Sequence, residues 1–246
     1  HQHEAVLTEA EMIEVLGQEN AGNIRFDELK AKVEAFKLDN QLVEILPEGL
    51  AEPDRGATLA RRHTEARFAA PWMVSWEKEI VDRVQAREKE THLQLPKQSV
   101  DVAIAAYEKR KGFQISDEQR LSVVHATAES GGVAILEGFA GTGKTTVSDC
   151  YSEAFRAQGR EMVGTCVSNA AAQKLEHESG MPCASVAMTL SRLKKGTMKL
   201  TPNHVLVVDE AGMLDTDQTR RLLAHAQDGG AKVILQGDTM QLQPIG

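Results

Sequence analysis

An α/β domain built on a parallel sheet is predicted for this 246-residue chain from about Gly112 onward. Three observations predict it. Apolar runs, Val133 to Leu136, Met162 to Val167, Val205 to Val208 and Val233 to Leu235, alternate with stretches of helical composition. Each run is continuous rather than alternating, as in strands covered on both faces. Three of the runs end directly in polar sequence, and the carboxyl ends of strands are where open α/β sheets bind their ligands.

Before Gly112 the pattern is different. Thr8 and Glu11 have the spacing of a capping box, which opens a short helix containing Met12, Val15 and Leu16. Phe26, Leu29, Val33 and Phe36 recur at helical spacing. Leu42 to Leu46 reads as a strand, Pro47 to Gly56 as turns, and Leu59 to Phe68 as a second extended run. Helices followed by a hairpin are the order of a winged helix, and a small α+β adaptor without a DNA role satisfies the same pattern. Residues 1–70 are therefore expected to form a small winged-helix-like N-terminal domain. Pro71 suits a first helical turn. Trp72, Trp76, Ile80 and Val84 then mark one helix face, tryptophans at this spacing pointing to core packing rather than base stacking. Thr91 to Gln98 is a polar connection, and Ser99 to Lys111 is a further helix with Val100, Ile104 and Tyr107 on one side. Residues 71–111 are expected as a helical linker and 112–246 as the α/β domain.

Composition narrows the function. Aromatic residues are 4% of the chain, so the core must rest on aliphatic side chains. The net charge is −8 and neither half is basic, which excludes a broad electrostatic footprint for nucleic acid. Any DNA contact must come from a local groove. Cys150, Cys166 and Cys183 show no metal spacing, which suits a reducing, cytoplasmic compartment. No window has the apolar length of a membrane span, and no signal peptide is visible. The chain begins at His1 and stops at Gly246 inside a motif, so it is expected to be a piece of a longer protein.

The first apolar run leads into Gly138-Phe139-Ala140-Gly141-Thr142-Gly143-Lys144-Thr145-Thr146. This is the Walker A spacing, set between a strand and a helix. Glycines admit backbone conformations closed to other residues, so successive amides can turn inward as an anion nest, with the helix N-terminus behind it. Lys144 can reach the β and γ phosphates of a nucleotide, and Thr145 can ligate Mg²⁺. The third run ends in Asp209-Glu210, where Asp209 suits the Walker B role on Mg²⁺ and Glu210 can polarise the attacking water. The fourth ends in Gln236-Gly237-Asp238, followed by Gln241, the natural sensor of a γ phosphate. Asp238 fits a sensor or a turn former equally. Ser116 and Gln119 have capping-box spacing, and Gln119 is also placed to read an adenine edge; one amide cannot fully do both. Ser168 to Lys174 and Thr189 to Leu193 carry hydroxyl, amide and basic groups that can bind single-strand phosphates, or can simply be solvated helix starts.

The set GFAGTGKTT, LVVDEAGML and GDTMQLQPIG resembles superfamily 1 helicases of the RecD-like branch, and most closely the helicase part of the MobF-type conjugative relaxases, the TraA-like transfer proteins of plasmids. ISDEQRLSVV matches the place where those proteins carry an adenine-reading Gln, and SNAAAQKL and ASVAMTLSRL resemble their motifs between Walker A and Walker B. HTEARFAAPWMVSWEKEI looks like the segment joining a small N-terminal domain to the motor. The resemblance implies a RecA-like domain that binds ATP and Mg²⁺ through Gly138 to Thr146, Thr145 and Asp209. It implies adenine reading by Gln119, a general base in Glu210, and coupling to DNA movement through Gln241. It further implies 5′ to 3′ movement along single-stranded plasmid DNA and other relaxosome proteins as partners. The family's second RecA-like domain, its arginine fingers and its relaxase domain have no counterpart here. An arginine finger is worth about 10³ to 10⁵ in rate, so this segment alone is expected to hydrolyse ATP poorly. A RecD-like repair helicase and a nucleotide-binding adaptor that never moves DNA are the alternatives. A small-molecule P-loop kinase would need an Arg-rich lid, which is absent.

Overall fold

The computed structural model describes residues 6–19, 24–45, 67–138 and 143–237. The chain divides between Lys78 and Glu79 into two compact units. In the first, strand β1 (Val6–Thr8) leads into helix α1 (Glu9–Glu19), followed by helix α2 (Phe26–Asp39) and strands β2 (Val43–Ile45) and β3 (Arg67–Ala69). Strand β3 lies between β1 and β2, antiparallel to both. The capping box forms: Thr8 Oγ1 accepts from the Glu11 N–H at 3.2 Å, and the Glu11 carboxylate accepts from the Thr8 N–H at 2.7 Å. Met12, Leu29 and Val33 are buried, whereas Phe26 and Phe36 are exposed. At helical periodicity these two phenylalanines stand at opposite edges of the apolar arc, and Leu29 and Val33 hold its centre. Strand β1 escapes a periodicity argument because three residues carry too little pattern. The turns at 47–56 and the extended run from Leu59 up to residue 66 lie outside the described residues.

Helix α3 (Pro71–Arg87) contains the division point. Trp72 and Trp76 meet edge-on with centroids 4.5 Å apart, and Trp72 is half exposed rather than buried.

The second unit continues through a short 3₁₀ turn (Thr91–Leu93) to helix α4 (Lys97–Lys111) and helix α5 (Asp117–Val124), which ends in a π-helical turn (His125–Glu129). Then follow β4 (Val133–Glu137), α6 (Lys144–Ala157), β5 (Glu161–Cys166), α7 (Asn169–Ser179), β6 (Cys183–Ser185), α8 (Val186–Lys194), β7 (His204–Val208), α9 (Thr216–Gly229) and β8 (Lys232–Gly237). The five strands form one parallel sheet in the order β4-β8-β7-β5-β6. All four apolar runs of the sequence are strands of it. The short edge strand β6, Cys-Ala-Ser, was not legible because it carries no β-branched residue.

Alternation along β7 divides the core. Val205 and Val207 pack with Val100, Ile104, Tyr107, Tyr151 and Phe155 on one face. Leu206 and Val208 pack with Leu190, Leu222, Leu223 and Ala226 on the other. Two helical layers thus cover the sheet, and α4 is one wall of this unit.

At the amino ends of the strands two cations are buried. Arg87 donates to Glu90 and to the Ala231 carbonyl at 2.6 Å. Lys232 Nζ donates to the carbonyls of Ser130 and Gly131, at 2.9 and 2.6 Å, and to Ser130 Oγ at 3.0 Å. Burial, with Arg87 and Arg160 nearby, pushes the Lys232 amine down to about 7. Gly132 has no room for a β-carbon, which would collide with Arg87 and Glu90.

Candidate functional site

The site grows from the carboxyl ends of the three central and edge strands β4, β8 and β7. Because β8 lies between β4 and β7, the loop leaving β4 and the carboxylates leaving β7 stand two strand spacings apart, about 10 Å. That gap suits a phosphate group with a bridging cation. Gly143 precedes α6 with φ 85°, a left-handed conformation that glycine adopts at little cost. It delivers Lys144 and Thr145 onto the first turn of α6, where free amides and the helix dipole favour an anion.

Across the gap Asp209 follows β7 in extension of the ladder, its N–H bonding the Thr165 carbonyl at 2.9 Å. Glu210 then takes φ 53°, ψ 40°. A left-handed backbone at a non-glycine residue costs about 1–2 kcal/mol, so the turn into the 3₁₀ segment Ala211–Met213 holds Glu210 against its own preference. Close packing enforces that turn: a β-carbon on Gly237 would already stand 3.3 Å from the amide nitrogens of Ala211 and Gly212. Lys144, Thr145, Asp209, Glu210 and Gln236 line one cavity of about 250 Å³, with Lys174 of α7 at its other side.

A second cavity of about 400 Å³ shares Lys144 and Gln236 and is walled by Gln119, Leu136, Gly138 and Val147. Gln119 completes the capping box: its N–H bonds Ser116 Oγ at 3.2 Å and its Oε1 accepts from the Ser116 N–H at 3.0 Å. Its Nε2 reaches toward Gly143. The cap therefore uses the amide oxygen while the amide nitrogen faces the phosphate loop.

A model of the AAA domain matches residues 114–246, more than half of the chain. The chain belongs to the AAA domain family. With its five-stranded parallel sheet and glycine-led helix, this AAA domain has the fold of a RecA-like P-loop NTPase. Among its relatives, the conjugal transfer protein TraA of Rhizobium radiobacter is 35% identical over 136 residues, 55% of this chain and 12% of the relative. The conjugal transfer protein TraA of Agrobacterium fabrum is 29% identical over 214 residues, 86% of this chain and 18% of the relative. The ATP-dependent RecD2 DNA helicase of Deinococcus radiodurans is 33% identical over 141 residues, 55% of this chain and 19% of the relative. The chain thus spans less than a fifth of the length of each.

Within the AAA domain the remaining candidates fall in different places. Phe139, Ala140, Gly141, Thr142, Asp238 and Gln241 lie outside the described residues. The Gly138 N–H bonds the Gly237 carbonyl at 3.1 Å, tying the start of the phosphate loop to β8. Thr146 shares a hydrogen bond with the Tyr107 hydroxyl on α4, and its Oγ1 lies close to Gly143. Ser168 caps α7, accepting from the Ala171 N–H at 3.1 Å, so its hydroxyl is a helix start. Thr189, read from the sequence as available to phosphates, is buried and bonds Thr165 Oγ1 at 3.2 Å, because the face of α8 that carries it packs on the sheet. Arg192 is exposed.

Sequence reasoning missed a buried polar chain beneath the site. Gln236 Nε2 donates to Asp209 Oδ1 at 2.9 Å. The Tyr151 hydroxyl donates to Gln236 Oε1 at 2.7 Å, and Ser148 Oγ donates to the Tyr151 oxygen at 3.1 Å. Burial pushes the Tyr151 phenol well above its usual range, so it stays protonated and can donate. The one available signal was a glutamine closing an otherwise apolar strand. The three cysteines are free thiols, pushed up by burial to about 12, 12 and 11 for Cys150, Cys166 and Cys183, so none is a nucleophile near neutral pH. Among the described residues no helix is long and apolar enough to cross a membrane.

Proposed function

We propose that this AAA domain binds Mg·ATP and is the ATP-hydrolysing segment of a 5′ to 3′ DNA helicase within a conjugal-transfer relaxase, acting on single-stranded plasmid DNA. The observation that carries the proposal is the single cavity shared by Lys144, Thr145, Asp209 and Glu210. Its donor set fits the proposed ligand: an amine and helix-terminal amides on one side, a hydroxyl and a carboxylate as hard oxygen ligands. The relatives' printed names, conjugal transfer protein and ATP-dependent DNA helicase, support the wider setting.

Gly138 to Gly143, with Lys144, Thr145 and Thr146, are assigned to the phosphate loop. Thr145 and Asp209 would hold magnesium, which when bound neutralises developing charge on the phosphate oxygens. Lys144 pairs with the terminal phosphates. Glu210 accepts the proton of the attacking water at its carboxylate. Gln119 is assigned to reading the adenine edge. Gln241 is assigned to sensing the γ phosphate, and exposed Arg192 with the start of α7 to the DNA strand. A second reading, a RecD-like repair helicase, draws on the RecD2 relative. Strand nicking by the full-length protein favours the relaxase; its absence in an otherwise active motor favours repair.

Calorimetric titration of the folded chain with Mg·ADP tests the core of the proposal. Saturable binding at one site is expected, and no binding overturns it. The longer protein should then show ATP turnover stimulated by single-stranded DNA.

A further inference from the structure

We propose that Gln236 is a positioning residue for the carboxylate of Asp209, acting through a hydrogen-bonded chain that also reaches the helix carrying Thr145. The inference rests on the magnesium-nucleotide reading of the site and adds a residue that the Walker motifs do not contain.

The chain of bonds has one consistent direction. A carboxylate oxygen only accepts, so the Gln236 nitrogen must face Asp209. Its oxygen then faces Tyr151, whose hydroxyl donates, and Ser148 in turn donates to the phenol oxygen. A flipped amide would set oxygen against the Asp209 carboxylate. Tyr151 is fully buried, Gln236 is 6% exposed and Ser148 is 4% exposed, so water does not compete for the bonds of Tyr151 to Gln236 and Ser148.

Two consequences follow for the metal-holding groups. With Oδ1 of Asp209 engaged by the amide, the carboxylate plane is held. Ser148 and Tyr151 belong to α6, whose first turn carries Thr145. The helix that carries Thr145 is thus tied to Asp209 across β8 by side-chain bonds. Outer hydrogen bonds of this kind set the orientation and affinity of metal ligands.

The test compares the chain with its Gln236→Met and Tyr151→Phe variants, each checked for a cooperative thermal melt. ADP affinity is measured by calorimetry without metal and across a magnesium titration. Metal-free ADP affinity should fall by less than the magnesium-dependent affinity, because the amide bonds the metal-holding carboxylate directly. The magnesium concentration needed for half-maximal enhancement should rise on the order of tenfold in Gln236→Met, and by less in Tyr151→Phe, which keeps the amide bond to Asp209. An unchanged magnesium requirement in Gln236→Met overturns the inference and leaves the nucleotide site standing. Equal loss of metal-free and magnesium-dependent affinity also overturns it, since that is what a merely structural role gives. Failure of the unaltered chain to bind ADP at any magnesium concentration overturns the inference together with the reading beneath it.

Discussion

The side-chain amide of Gln119 occupies the space that a β-carbon on Gly143 would need. The helix α5 cap and the phosphate loop are therefore in direct steric register, and Gly143 is required twice, for its left-handed φ of 85° and for its missing side chain. Gly143→Ala is expected to weaken Mg·ADP binding by more than about tenfold, the equivalent of 1.4 kcal/mol. Gly180→Ala is the control. It has φ 63° but nothing within 4 Å of an added β-carbon, so it carries similar backbone strain and should leave calorimetric binding intact.

Lys144 lies on the first turn of α6 and belongs to neither hydrophobic core cluster. Lys144→Ala should therefore melt like the unaltered chain in circular dichroism. A charge-assisted hydrogen bond is worth about 1.5–3 kcal/mol, so nucleotide affinity should fall about ten- to a hundredfold. Undiminished affinity in the folded variant would remove Lys144 from the site.

Glu210 separates strain from chemistry. Glu210→Gln keeps the backbone and should leave nucleotide bound, while single-turnover hydrolysis in the longer motor protein falls by about 10² to 10⁴. Glu210→Gly relaxes the left-handed backbone at φ 53°. Its melting temperature should not drop, although a glycine placed in regular structure costs about 0.5–1 kcal/mol.

Lys232 gives a pH signature of folding. Its amine sits at about 7 in the folded chain against an ordinary 10.5, so between these values the unfolded chain binds the extra proton. Stability from this group therefore rises with pH across that window, its burial penalty being complete below about 7 and gone above about 10.5. Urea unfolding across the window should show this slope, and Lys232→Met should flatten it. The same slope in the variant would assign it to other groups.

Much of the site was legible in sequence because its signals are local. The Walker A spacing marks a glycine-led helix start within a few residues, and Asp209-Glu210 announces itself by closing an apolar strand. The capping boxes at Thr8 and Ser116 are equally local and both form. Thr189 misled for the same reason: a hydroxyl on a short helix carries no mark of which face will be buried, and the sheet turned it onto Thr165.

By itself, then, the sequence determined that a parallel α/β unit with a phosphate loop exists, since strand runs, glycine spacing and caps are properties of neighbouring residues. Tertiary structure alone decided that β8 enters between β4 and β7, that α4 walls the core, and that Gln236 meets Asp209 on one side and Tyr151 on the other. The physical reason is that strand order and buried side-chain bonds join residues far apart in the chain, 85 positions for Tyr151 and Gln236 and 102 for Lys232 and Ser130. Such partners are chosen by packing and by the need of every buried polar group for a bond, and neither leaves a pattern in the adjacent residues.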